Sequence, residues 1–301
     1  MPTFDQLVSR VKAELQGFAL DQASVSELAA QMAGGDTVFT CDASTVGNLS
    51  RGMVEVDDEL ILVKAFDAAS GSVSVMGGAN GRGYQNTVAA AHDAGALVTS
   101  APAFPRSRVR DELNNALKAL YPSLVVLETT DFPFSAAQVE YPLPAETADV
   151  WYVTGRWVGP ERVSAPMPNW RYNPKAYPSD FPTGKSIQLF DGVTPGQNVR
   201  VVYVRPPAAL VNGSDDFTVS GYPERVADLI VWDACRRLLP SMLSARLQQQ
   251  AVEATERAAL VSSRDIATAV QLYAGMHAEG LAAERALQFT EAPNYATFQG
   301  S

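Results

Sequence analysis

The sequence predicts an α+β protein: a helical-bundle core with a long C-terminal helix and two inserted antiparallel β-domains. Proline placement is the first reason. Fourteen of the nineteen prolines lie between Pro122 and Pro223, and none occurs from Ser241 to Ala292. Proline removes a backbone donor and breaks helices, so the middle reads as strands and loops and the last third as helix. The second reason is Met53–Val98, where short alternating apolar runs, separated by acidic and glycine turns, interrupt two helical patterns.

Taken in order, Phe4, Leu7, Val8, Val11, Leu15 and Phe18 recur at helical spacing, and Thr3 with Gln6 fits a capping box. A helix is expected over about residues 4–17, then a short helical turn around Ser24–Met32 that Gly34-Gly35 ends. Val54 and Val56 alternate with polar neighbours, Asp57-Asp58-Glu59 makes a tight solvated turn, and Leu60-Ile61-Leu62-Val63 resumes as a second strand. Ser70-Gly71 turns the chain into a third strand at Val73 and Val75. Gly77, Gly78, Gly81 and Gly83 follow, serving turns where positive φ or close backbone approach is cheap.

Helix returns near Pro105, with Val109, Leu113, Ala116, Leu117 and Leu120 as its apolar stripe, and Tyr121-Pro122 stops it. Leu124–Leu127, Val150–Val153, Ile187–Leu189 and Val199–Val204 are β-branched and aromatic runs of a second, larger antiparallel β-domain. Asn212–Asp216 is a surface loop by composition. Tyr222-Pro223-Glu224 opens another helix, with Val226, Leu229, Ile230, Ala234 and Leu238 facing inward until Pro240 breaks it. Ser241 to about Gln288 is Ala-rich and predicts one long helix, with Gly275 and Gly280 as places for a kink. The expected organisation is residues 1–34 and 105–121 as core helices, 35–104 as a small β-module and 122–220 as the second β-domain. Residues 221–288 complete the helical core, and 289–301 form an extended tail.

Composition excludes several function classes. A net charge of −10 argues against a general nucleic-acid binder, which needs clustered Lys and Arg. Cys41 and Cys235 are far apart without metal spacing, which fits a reducing compartment or indifference to redox state. His92 and His277 are the only histidines, a scarcity that removes His-rich metal sites and argues against a Ser–His or Cys–His dyad. No apolar run approaches the ~20 residues a membrane span needs, and no basic-then-apolar leader opens the chain.

The motifs point the same way. Thr183-Gly184-Lys185-Ser186 imitates a phosphate loop, but Ser179 stands where the leading glycine belongs and Ile187–Leu189 reads as strand. Gly81-Arg82-Gly83 does not match a dinucleotide fingerprint, and Asp57-Asp58-Glu59 lacks the further acidic residues of a calcium loop. His92, beside Asp93 with no nucleophile at readable spacing, reads as a structural histidine bonding locally. Trp151, Tyr152, Trp157, Trp170 and Tyr172 read mainly as β-domain core, with a stacking platform as the rival reading. Tyr295 and Phe298 in the tail are the candidate partner-binding residues. The expectation is a non-enzyme with no catalytic residue, cofactor or metal.

Several stretches together resemble the head-to-tail connector, or adaptor, proteins of tailed bacteriophages. They are Gly81-Arg-Gly-Tyr84 with Thr87, Ala91-His92 and Gly95-Ala96, following Val54–Glu59; Pro105-Arg106 opening a helix; Val199–Tyr203 before Asp215-Asp216-Phe217; and the helix Asp228–Ala234. The resemblance implies a structural virion protein of the neck, made in the host cytoplasm. It implies a homo-oligomeric ring, commonly twelve-fold, that joins the portal protein to stopper or tail proteins and lets DNA pass, without membrane contact. Two large β-inserts exceed what the smallest adaptors carry. That leaves a stopper, tail-terminal or receptor-contacting tail protein, using the aromatic β-domain, as the alternative.

Overall fold

A computed structural model describes residues 1–18, 24–49, 51–156, 164–191, 194–242 and 263–291. It shows a mixed α+β protein whose described helices are α1 (Phe4–Gln16), α2 (Arg106–Leu120), α3 (Ala227–Leu238) and the long α4 (Ser263–Glu291). Two compact units result, one from residues 2–116 with 227–277, the other from 117–226 with 278 onward.

In the first unit, α1 starts where the sequence sets it. The Thr3 hydroxyl accepts from the Gln6 N–H at 3.3 Å, and the Gln6 side chain accepts from the Thr3 N–H at 3.0 Å. Phe4, Leu7, Val8, Val11 and Leu15 are buried, each contributing roughly 1.5–3 kcal/mol. Helix α1 packs on α3, which buries Leu229, Ile230, Ala234 and Leu238, and Tyr273 of α4 donates to Glu14 at 3.0 Å. Of the long helix expected from Ser241, residues 243–262 lie outside the described residues.

The strands between α1 and α2 are β1 (Ser24–Glu27), β2 (Val38–Thr40), β3 (Gly52–Val56), β4 (Glu59–Asp67), β5 (Ser72–Val75) and β6 (Leu97–Ser100), ordered β1-β6-β3-β4-β5-β2. The sheet closes on itself. Leu28 just past β1 bridges Cys41 just past β2, with Ala29 N–H to Thr40 O at 2.8 Å and Asp42 N–H to Glu27 O at 2.9 Å. The result is a small antiparallel barrel filled by Val54, Val56, Ile61, Val63, Val73, Val75 and Val98. The helical turn expected at Ser24–Met32 is instead β1, ahead of residue 35. Its ladder partner β6 is some seventy residues away in sequence, with Ser24 opposite Ser100, so a long-range pairing overrides the local pattern.

The second unit contains β7 (Val126–Pro133), β8 (Glu140–Pro142), β9 (Asp149–Arg156), β10 (Ser164–Pro166), β11 (Trp170–Asn173), β12 (Ser186–Leu189) and β13 (Asn198–Arg205). They form a four-stranded sheet, β10-β9-β13-β7, and a three-stranded sheet, β11-β12-β8. Tyr141, Leu143, Ile187 and Leu189 share one core with Val153, Val199 and Val201. Tyr141 stacks on Phe132 at 4.5 Å. Its hydroxyl donates toward Ser135 O and Gln138 O, both at 3.0 Å, and accepts from Ser135 N–H at 2.9 Å.

Candidate functional site

The densest polar constellation among the described residues is built on the β3–β4 hairpin. Glu59, expected in a solvated turn, is 1% exposed. The strand begins there, and its carboxylate turns inward to meet Arg82, whose side chain is equally buried. Arg82 Nε and Nη2 donate to the two Glu59 oxygens at 2.7 and 2.8 Å, the bidentate geometry that suits guanidinium. Its remaining donors reach Ala33 O, Asp36 O and Ala90 O at 2.8, 3.1 and 2.7 Å. Every direction of the guanidinium is thus tied to the barrel wall.

Gly81 and Gly83 exist for this arginine as much as for turns. A Cβ on Gly81 would sit 2.3 Å from Met76 O and 2.5 Å from a Val75 methyl. Gly83 has φ +60, and its added Cβ would meet Thr87 O at 2.7 Å. The Gly83 N–H itself donates to Glu59 at 2.9 Å, and the Ala90 N–H does so at 3.0 Å. Burial works against ionisation of Glu59, but Arg82, Ala90, His92 and Gly83 together outweigh it and lower its pKa to about 2.

His92 is buried and structural, as read from sequence, yet its partners are distant in the chain. Nδ1 lies 2.7 Å from Asp57 and Nε2 lies 2.9 Å from Glu59. Carboxylates only accept, so the ring satisfies both contacts when each nitrogen carries a hydrogen. Both ring nitrogens are thus engaged by carboxylates of the β3–β4 hairpin. Thr87 completes the loop by donating to Tyr84 O at 2.9 Å and accepting from the Leu60 N–H at 3.0 Å.

A second layer of charge ties the hairpin to the helices. Glu55, buried on the outer face, accepts from Lys12 at 3.1 Å and from the Arg106 N–H that opens α2, where the helix dipole favours an anion. Arg106 donates to Asp58 at 3.1 Å and to Asp5 at 2.6 Å, and Arg110, one turn on, also pairs with Asp58. The acidic run is therefore a clamp for α2 rather than a calcium loop. No group of three or more His, Cys, Asp or Glu side chains among the described residues could hold a metal ion.

Beside the clamp lies an open cleft of about 660 Å³ lined by Asp57, Asp58, Gln85, Asn86, Val88 and Arg108 among others. Asp57, Gln85 and Asn86 have φ of +50, +55 and +66, three of the four described non-glycine residues in the left-handed region. Such strain collects where surrounding structure over-determines the backbone. Val88 at its rim is 80% exposed.

Elsewhere, Trp170 and Tyr172 pack against the sandwich core, Trp151 and Tyr152 are half-buried, and Trp157 lies outside the described residues. Lys185 of the phosphate-loop imitation sits 5.9 Å over the Tyr172 ring, with Ser186 starting β12. Tyr295 and Phe298 also lie outside the described residues. No helix among the described residues is long and apolar enough to cross a membrane. Arg82 and Glu59 are the buried ion pair that sequence reasoning missed. The available signal was an arginine held between two glycines whose spacing fits no ligand loop.

The fold and this clamp define an α+β protein in which the densest described polar cluster ties the β3–β4 hairpin to the barrel and to α2. The family model for the SU10 adaptor protein matches residues 87–279, well over half the chain. The protein belongs to the SU10 adaptor protein family, a bacteriophage adaptor family, in agreement with the head-to-tail adaptor resemblance. No curated protein matches the chain.

Proposed function

We propose that the protein is a non-catalytic head-to-tail adaptor of a tailed bacteriophage, acting as a ring in the virion neck. The reading places about twelve copies between the portal protein and stopper or tail proteins, with the helices closing into a bundle at the ring. Tyr295 and Phe298 then anchor on the portal, and DNA passes through the lumen. The family match carries the adaptor part of this reading.

Two features support the rest. Helix α4 leaves Ala267, Leu272, Ala278, Ala282, Ala286 and Leu287 exposed, so it buries little within one subunit. Small side chains let neighbouring helices approach closely, and packing in a ring would supply the missing burial. The net charge of −10 suits a wall past which DNA must slide, since basic residues would hold its phosphates.

Imaging of intact particles with antibody against the protein tests the proposal. Label at the neck is expected. Label along the tail or over the capsid shell would overturn it. The mass in solution with and without purified portal gives a second check. A strict monomer that ignores the portal would count against the ring.

A further inference from the structure

The β3–β4 hairpin carries opposite charge at its two ends. At the turn, Asp57 and Asp58 line the cleft beside α2, with side chains 60% and 44% exposed, and the exposed Asp111 of α2 joins them. Of the lining groups most open to solvent, these three are acidic against the basic Arg108, and the mostly buried Arg110 is spent on Asp58.

At the open end, Arg51 precedes Gly52, whose ladder partner is Val63, so Arg51 and Lys64 stand together where the hairpin opens. Both are exposed. Ile61 and Val63 fill the barrel, so alternation turns Lys64 outward. The β4–β5 register also shifts between Val63 and Ala65, and such bulges re-aim side chains. The nearest acid along β4, Asp67, is turned to its own loop, accepting from the Ala69 N–H at 3.0 Å and the Ser70 hydroxyl at 2.7 Å. Six residues separate Lys64 from Asp58, about 20 Å at the rise of a strand, too far for the two ends to meet within one copy.

We propose that they meet between copies: Arg51 and Lys64 of one subunit enter the Asp57, Asp58 and Asp111 cleft of the next. Val88, 80% exposed at the rim, then lies against their aliphatic stems. Two different patches pairing in this way make a head-to-tail contact, the kind that closes into a ring when the rotation allows. The inference rests on the ring reading above and names the surfaces that join neighbours. Glu59, Arg82 and His92 hold the acidic loop from beneath, so the cleft keeps its shape before a neighbour arrives. Charge at such a contact sets partner and register more than strength.

Cysteine cross-linking tests the contact, since Cys41 and Cys235 are buried. In a chain carrying Lys64→Cys and Asp111→Cys the thiols stand at opposite ends of the hairpin, and a disulfide needs Cα atoms within about 7 Å. Mild oxidation after assembly, with portal added where assembly requires it, should give a covalent ladder running past the dimer, and neither single variant should give one. Arg51→Glu with Lys64→Glu should raise the concentration for half-assembly at least tenfold. An assembled protein with no ladder, or one that stops at two, overturns the contact and leaves the ring standing. Unchanged assembly of the charge variant also overturns it, and lost portal binding would then assign that end to the portal. A chain that stays single with and without portal overturns the ring reading and this contact with it.

Discussion

Replacing Glu59 by Gln keeps the shape of the buried clamp and removes the charge that answers Arg82. The two side chains are 0% and 1% exposed and joined by bonds of 2.7 and 2.8 Å, so neither can turn to water. Breaking a buried pair by removing one partner costs about 3–5 kcal/mol, since the other charge is left stranded. Arg82→Met should cost a similar amount, because Glu59 then keeps only Gly83, Ala90 and His92 as donors. In the double variant neither charge is stranded. Its cost should fall below the sum of the singles by about 2 kcal/mol or more. All four tryptophans lie outside residues 24–100, so fluorescence does not report on the barrel. Amide exchange at Val63 and Val98, on inward-facing strand positions, does. A loss of about 4 kcal/mol would speed exchange there by roughly a thousandfold. Single variants within 1 kcal/mol of the parent, or costs that simply add, would refute the reasoning.

The pH dependence follows from the same residue: Glu59 titrates at about 2 rather than 4.5, so its stabilising contribution is complete above pH ~4.5. About 3 kcal/mol should drain away as pH falls from there through 2, and Glu59→Gln should flatten that part of the curve. Gly81→Ala should cost more than about 2 kcal/mol in urea unfolding, because its Cβ falls 2.3 Å from a backbone oxygen. Thr3→Ala removes the cap of α1 and should lower stability by about 1 kcal/mol, read as a drop in Tm. Tyr141→Phe keeps the stack on Phe132 but loses the hydroxyl's bonds to Ser135 and Gln138. It should cost about 1–3 kcal/mol, followed by fluorescence of Trp151 and Trp170.

Where local chemistry decides, the sequence was a good guide. The capping box at Thr3, the stop at Tyr121-Pro122 and the β-branched runs of β7, β9, β12 and β13 each carry their reason within a few residues. The misses share a different cause. Strand β1 exists because β6 waits beside it, and barrel closure depends on Leu28 meeting Cys41, so neither is written in any short window. Glu59 looked solvated because it continues an acidic run, in which Asp57 is exposed and Asp58 half-buried, while the arginine that draws it inward lies 23 residues on. Paired buried charges are visible in sequence only as two separate polar residues.

The pairing of Ser24 with Ser100 has a consequence for how such a chain can change. The barrel leaves and rejoins the rest of its unit at one spot, since cross-strand partners stand only ~5 Å apart. A linker of a few residues could span that gap, so the whole loop of chain between them can be treated as a cassette. Cutting it out would leave the α1-to-α2 connection short and direct. Trading it for another closed barrel would ask that the graft's first and last strands lie side by side and that it offer acceptors to Lys12, Arg106 and Arg110 in place of Glu55 and Asp58.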